Sequence, residues 1–187
     1  WFIESKSSKD NPKRNWYIWK DPKPDGSEPN NWESIFNGST WEFDESTKQY
    51  YFHLFSKKQP DLNWENPDVR QAVFEMMNWW FEKGIDGFRV DAITHIKKNF
   101  EAGDLPVPDG KKFAPAFDVD MNQPGIQEWL QEMKDKSLSR YDIMTVGEAN
   151  GVTPNDAEEW VGEENGKFNM IFQFEHLGLW STGDTKF

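Results

Sequence analysis

Two carboxylates in this chain stand where chemistry could happen. Asp91 closes the run Gly84-Ile85-Asp86-Gly87-Phe88-Arg89-Val90-Asp91, and Glu148 lies near the end of Ile143-Met144-Thr145-Val146-Gly147-Glu148-Ala149-Asn150. Side chains alternate along a strand, so Arg89 and Asp91 share one face while Phe88 and Val90 take the other. An arginine and a carboxylate at a buried strand end must be paired, solvated or liganded. The plain alternative is an ion pair that merely orders a loop. If Asp91 and Glu148 leave adjacent parallel strands at the same end, one can attack an anomeric carbon while the other protonates the departing oxygen. Arg89 would then keep Asp91 ionised and hold it in position. The same acids could instead bind magnesium or calcium, although no histidine cluster accompanies them. Asp118 and Asp120 do not match a calcium loop and are expected to cap or solvate the start of a following helix. His176 follows a third apolar run and could line a pocket, whereas His95, just past Asp91, reads as structural.

These residues need a scaffold, and the periodicity supplies one. Asn66, Pro67 and Asp68 make a capped helix start. Val69, Val73, Met77 and Trp80 then recur at helical spacing, supported by Phe74 and Phe81, until Lys83 and Gly84 close the helix. A strand is predicted over Ile85–Asp91. A helix from Pro124 carries Ile126, Trp129, Leu130 and Met133, and Tyr141–Glu148 reads as the next strand. Thr153, Pro154 and Asp156 then start a helix containing Ala157, Trp160 and Val161, before a strand over Phe168–Phe174. Alternating helices and strands require crossovers and predict an α/β sheet or barrel, and barrels place their chemistry at the carboxyl ends of strands. A doubly wound sheet is the other option, but no glycine-rich phosphate turn follows any strand. Residues 1–59 differ: they lack a helical stripe, are dense in Trp, Tyr, Asn, Gly and Pro, and carry turns at Pro24–Gly26 and Asn37–Gly38. A short strand falls within Gln49–Phe55.

Composition narrows the partners. Acidic residues outnumber basic ones 33 to 21 among the 187 residues, for a net charge of -12, which opposes nucleic acid or an anionic membrane as partner. The absence of cysteine excludes disulfides, thiolate catalysis and sulfur-ligated metal. No apolar run is long enough to span a bilayer, and no signal peptide is evident. The 11 Trp and 15 Phe can stack on sugar faces, but core packing is the first expectation for any single one.

Taken together, these motifs resemble the α-amylase superfamily of glycoside hydrolases, and within it the oligo-1,6-glucosidase and α-glucosidase subfamily. Gly87-Phe88-Arg89-Val90-Asp91 resembles the segment with the family's arginine and nucleophile, and Gly147-Glu148-Ala149-Asn150 the segment with its acid/base. Gln59-Pro60-Asp61-Leu62-Asn63 resembles the stretch closing the subfamily's inserted subdomain, and Phe172-Gln173-Phe174-Glu175-His176 its strand-six region. The resemblance covers essentially the whole chain. It implies a partial (β/α)8 TIM barrel, with residues 1–59 as part of a loop-rich subdomain inserted after barrel strand three. Residues 60–187 then run from helix three to just after strand six.

The implied activity is retaining hydrolysis, with Asp91 as nucleophile, Glu148 as acid/base, and Arg89, Ala92, Asn150, Phe172 and His176 as substrate-binding residues. Maltose- or isomaltose-like oligosaccharides are the implied partners. No cofactor is required for the chemistry, and the family's structural calcium would belong to a segment preceding Trp1. Related members act as transglucosidases or sucrose isomerases, and trehalose-phosphate hydrolysis has less support, since no phosphate cradle stands out. Relatives preferring α-1,6 bonds have valine after the nucleophile; Ala92 leans towards α-1,4 links. The family's third carboxylate, in a His-Asp segment after strand seven, has no match here, so the chain is expected to be an internal piece, inactive alone. A cytoplasmic location is expected, and oligomeric state is not legible. A non-enzymatic amylase-like module of a transporter is the competing class; it often loses the carboxylates that survive here.

Overall fold

The computed structural model describes residues 1–178; the stretch beyond, assigned above to the region after barrel strand six, lies outside the described residues. The chain forms two compact units. One comprises Trp1–Val69 with Asn99–Val119, and the other Arg70–Lys98 with the chain from Asp120 onward.

The first unit begins with a short helix, α1 (Phe2–Ser7), followed by β1 (Trp19–Lys20), β2 (Trp41–Asp44) and β3 (Gln49–Phe52). The strands form an antiparallel sheet in the order β1-β3-β2. The observed β3 is shorter than the Gln49–Phe55 run: the His53 N–H still donates to the Thr40 carbonyl, but the Thr40 N–H goes to the Trp32 carbonyl and the ladder stops. Trp32, Trp41, Phe52, Leu54 and Ala116 form the core, joined by Phe100, Leu105 and Val119. Trp32 stacks on Phe100 and donates its indole N–H to the Gly103 carbonyl, at 2.8 Å. Burial thus costs no hydrogen bond, and it ties the 99–119 excursion to this unit. The predicted turns are present, with positive φ at Gly26, Asn37 and Gly38.

The β2–β3 hairpin depends on one buried carboxylate. Asp44 Oδ2 accepts from the Thr47 hydroxyl (2.6 Å), the Thr47 N–H (3.1 Å) and the Ser46 hydroxyl (2.7 Å), while Lys6 lies 3.2 Å from Oδ1. Burial opposes ionisation, but these bonds outweigh it and bring the pKa from the ordinary 3.8 down to about 2. A depressed folded-state pKa stabilises the fold above the unfolded value and loses that effect as pH falls through the folded one. Asp44→Asn is therefore expected to lower stability by roughly 2 kcal/mol at neutral pH. In urea unfolding of the protein and the variant, the gap should narrow between pH 4 and about 2. A gap that does not change with pH would mean that Asp44 acts by shape alone.

The alternating elements follow: α2 (Pro67–Glu82), β4 (Gly87–Val90), α3 (Phe117–Asp120, all but its last residue in the first unit), α4 (Ile126–Lys136), β5 (Met144–Glu148), α5 (Ala157–Val161), β6 (Met170–Phe172) and α6 (Glu175–Gly178). As expected, Asn66 caps α2, its Oδ1 accepting from the Asp68 N–H at 2.9 Å. Val69, Phe74, Met77 and Phe81 are buried, but Trp80 is 43% exposed. It forms an edge contact with Trp79 on the outer face, so the core stripe passes through Phe81 instead. Helix α4 starts at Ile126 rather than Pro124, because Gly125, at φ 86, turns the chain into it.

Strands β4, β5 and β6 are parallel and lie side by side in sequence order, the arrangement of a run of barrel strands. Each is shorter than predicted: all three start later, and β4 and β6 also stop before Asp91 and Gln173. Phe88 on the helix-facing side packs edge-on against Phe81 at 5.0 Å. Gly87 lets the backbone of β5 come close: a Cβ there would overlap the Met144 carbonyl.

Candidate active site

Strand register explains why two acids 57 positions apart in sequence come together. Arg89 pairs with Val146 and Val146 with Met170, while Glu148 pairs with Phe172. Partners in a parallel ladder point to the same face, so one row contains Arg89, Val146 and Met170. Two residues further, Asp91, Glu148 and Phe172 occupy the next row, at the carboxyl ends of the strands. This face lies opposite the one that packs on the helices.

A single guanidinium links the acids. Arg89 donates through one terminal nitrogen to Asp91 Oδ1 and through the other to Glu148 Oε2. Glu148 Oε2 also accepts from the Ala92 N–H, at 3.3 Å. The Arg89 guanidinium lies 5.9 Å from the centre of the Phe172 ring. A hydrogen bond from the Glu148 carboxyl, and after it the Arg89 charge, hold the Asp91 carboxyl below its usual range, against the opposing effect of burial. The Asp91 side chain is 71% exposed and that of Glu148 only 25%, so one acid is open to attack a ligand while the other is sheltered.

The remaining candidates are placed unevenly. Ala92 adopts a left-handed conformation (φ 47), which turns the chain sharply after Asp91 and aims its N–H at Glu148. The Asn150 carbonyl accepts from Asn122 Nδ2 at 3.0 Å. His176 is exposed on α6, outside the group that Arg89 gathers. Asp120 departs from expectation. It ends α3, is 1% exposed, and its Oδ1 lies 3.2 Å from His95 Nδ1, so it neither caps the next helix nor meets solvent. His95, buried in the turn Ile93–His95, explains this: a carboxylate there is partnered by an imidazole instead of by water. Sequence reasoning missed this pair because the two residues are far apart along the chain. Among the described residues, no three His, Asp or Glu side chains gather as a metal-ligand set, and no helix is long and apolar enough to cross a membrane.

Consecutive parallel strands that present an arginine-linked pair of carboxyls at their carboxyl ends define part of an α/β-barrel protein. The family described as "Alpha amylase, catalytic domain" matches residues 1–187, and the chain belongs to it. The chain is 63% identical, over 96% of its length, to the "Probable oligo-1,6-glucosidase 3" of Bacillus subtilis (strain 168). It is 56% identical, also over 96%, to the oligo-1,6-glucosidase of Parageobacillus thermoglucosidasius. It spans about a third of the length of these relatives, 32% in each case. The solved structure of Bacillus licheniformis trehalose-6-phosphate hydrolase superposes with a TM-score of 0.85 at 46% identity, covering 95% of this chain and 31% of that one.

Proposed function

We propose that the protein carrying this chain is a cytoplasmic retaining α-glucosidase that releases glucose from the non-reducing ends of short oligosaccharides, with α-1,6 links preferred. The observation that carries the reaction type is the Arg89 guanidinium bonded to both Asp91 and Glu148. In this reading Asp91 attacks the anomeric carbon as the glycosidic C–O bond breaks, and Glu148 gives its proton to the departing oxygen. Glu148 then takes a proton from water, which displaces Asp91 and leaves glucose in its original α configuration. Arg89 keeps Asp91 ionised and in place, and Phe172 offers an aromatic face to the sugar beside Glu148. Ala92 and Asn150 line the same strand ends, with His176 further out.

Linkage preference rests on the relatives. The α-1,4 lean of Ala92 rests on the loss of two methyl groups relative to valine, each worth about 1–3 kcal/mol in a pocket. Against it stand two matches to oligo-1,6-glucosidases at more than half identity across nearly the whole chain. The deciding experiment is an assay of the full-length protein on isomaltose, maltose, sucrose and trehalose 6-phosphate, with the anomer of released glucose followed by NMR. Isomaltose hydrolysis faster than maltose hydrolysis, giving α-glucose first, is the expected result. Faster maltose hydrolysis would restore the reading from Ala92, and preferred cleavage of the phosphorylated sugar would move the protein to the activity of the Bacillus licheniformis enzyme. A folded protein that neither hydrolyses nor transfers glucose would favour a non-enzymatic module.

A further inference from the structure

The β4–β5 ladder ends at Val90 and Gly147, one residue short of each acid. Beyond the ladder, Arg89 bonds both acids and the Ala92 N–H bonds Glu148, and a second link joins the segments that follow the two strands. Residues Asp120–Asn122 contact both segments. The Asn122 N–H donates to the Thr94 carbonyl at 2.8 Å, in the buried turn just after Asp91. Asn122 Nδ2 donates to the Asn150 carbonyl at 3.0 Å, just after Glu148. Asn122 reaches both because it sits at φ 50, a left-handed conformation that asparagine accepts more readily than most residues.

Its neighbours secure both ends. The His95 ring lies 3.2 Å from both the Asp120 carbonyl and Asp120 Oδ1. Met121 and Asn122 press on Gly151, at φ +73, where a Cβ would come within 2.6 Å of Met121 Cε and 2.9 Å of Asn122 Nδ2. The positive φ favours glycine here, and any larger residue would push these side-chain ends aside. The bracket is built at some cost, since Asn122 Oδ1 is buried with no hydrogen-bond partner among the described residues.

We infer that Asn122 is a positioning residue, whose side-chain amide holds the Glu148 segment at its working distance from the nucleophile segment. The inference rests on the glycosidase reading above, because the spacing matters only if Glu148 must deliver a proton to an oxygen leaving Asp91's target carbon. A displacement of about 1 Å at such a group costs up to about 100-fold in rate.

Asn122→Gly isolates the effect. Glycine keeps the left-handed backbone and the bond to Thr94, and loses only the amide. In the full-length protein, kcat/KM is measured on isomaltose (or maltose, if that is the better substrate) and on 2,4-dinitrophenyl α-glucoside, whose leaving group needs no proton. The expected result is a loss of roughly 10- to 100-fold on the disaccharide and under about threefold on the activated glucoside. A loss of folded protein would lower both equally. Equal losses, or none, overturn the inference. If the glycine variant does not fold, Asn122→Asp supplies the same comparison. It keeps the shape and the backbone bond, but sets a carboxylate oxygen against the Asn150 carbonyl. A native protein inactive on both substrates would defeat the glycosidase reading itself.

Discussion

Asp91→Asn in the full-length protein is expected to abolish turnover, lowering kcat/KM on isomaltose by about 10,000-fold or more, equivalent to roughly 5.5 kcal/mol of transition-state stabilisation. An amide of nearly the same shape cannot form the ester to the anomeric carbon, so the loss is chemical. Folding should be little changed, because the Asp91 side chain is 71% exposed and its partner Arg89 keeps Glu148. Thermal unfolding of the two proteins should coincide within a few degrees while activity collapses. In the native protein, a slow-turnover fluoroglucosyl substrate should leave one glucosyl unit on the peptide containing Asp91, read by mass spectrometry. A variant retaining more than a tenth of native activity, or a label on another residue, would remove Asp91 from the nucleophile's place.

Glu148→Gln is expected to show a different pattern. General acid and base contributions are typically 100- to 10,000-fold, and the loss should fall in that range on isomaltose. On 2,4-dinitrophenyl α-glucoside the first step needs no acid, so kcat/KM should stay close to native while kcat falls for want of a base in the second step. Azide, which needs no deprotonation, should then restore kcat and release α-glucosyl azide. Equal losses on both substrates with no rescue by azide would mean that Glu148 holds the site together rather than moving protons. Asn122→Gly should reproduce the first part of this pattern in weaker form, because it displaces Glu148 without removing it.

Much of this site could be read from the chain. Gly87-Phe88-Arg89-Val90-Asp91 and Gly147-Glu148-Ala149-Asn150 identify the acids and their arginine because short apolar runs that end in charge have few stable places in a fold. The helix stripes were legible for the same reason, since local periodicity records which face is buried. Trp80 was misplaced because an indole that fits the helical period can be exposed as easily as buried, and its neighbours along α2 decide which. The strand ends were overestimated because apolar sequence runs on where ladder pairing stops.

What the amino-acid sequence determined by itself was the order of elements and the family, and it picked out Asp91 and Glu148 as the acids at the strand ends. The tertiary structure alone decided three further things: that one guanidinium joins Asp91 to Glu148, that Asp120 is buried against His95, and that Asn122 spans the segments that follow these two acids. Each joins residues separated along the chain, and depends on a strand register and on positive-φ turns at Ala92, Asn122 and Gly151. A local sequence pattern records burial and period, whereas the meeting of distant segments depends on how whole elements pack.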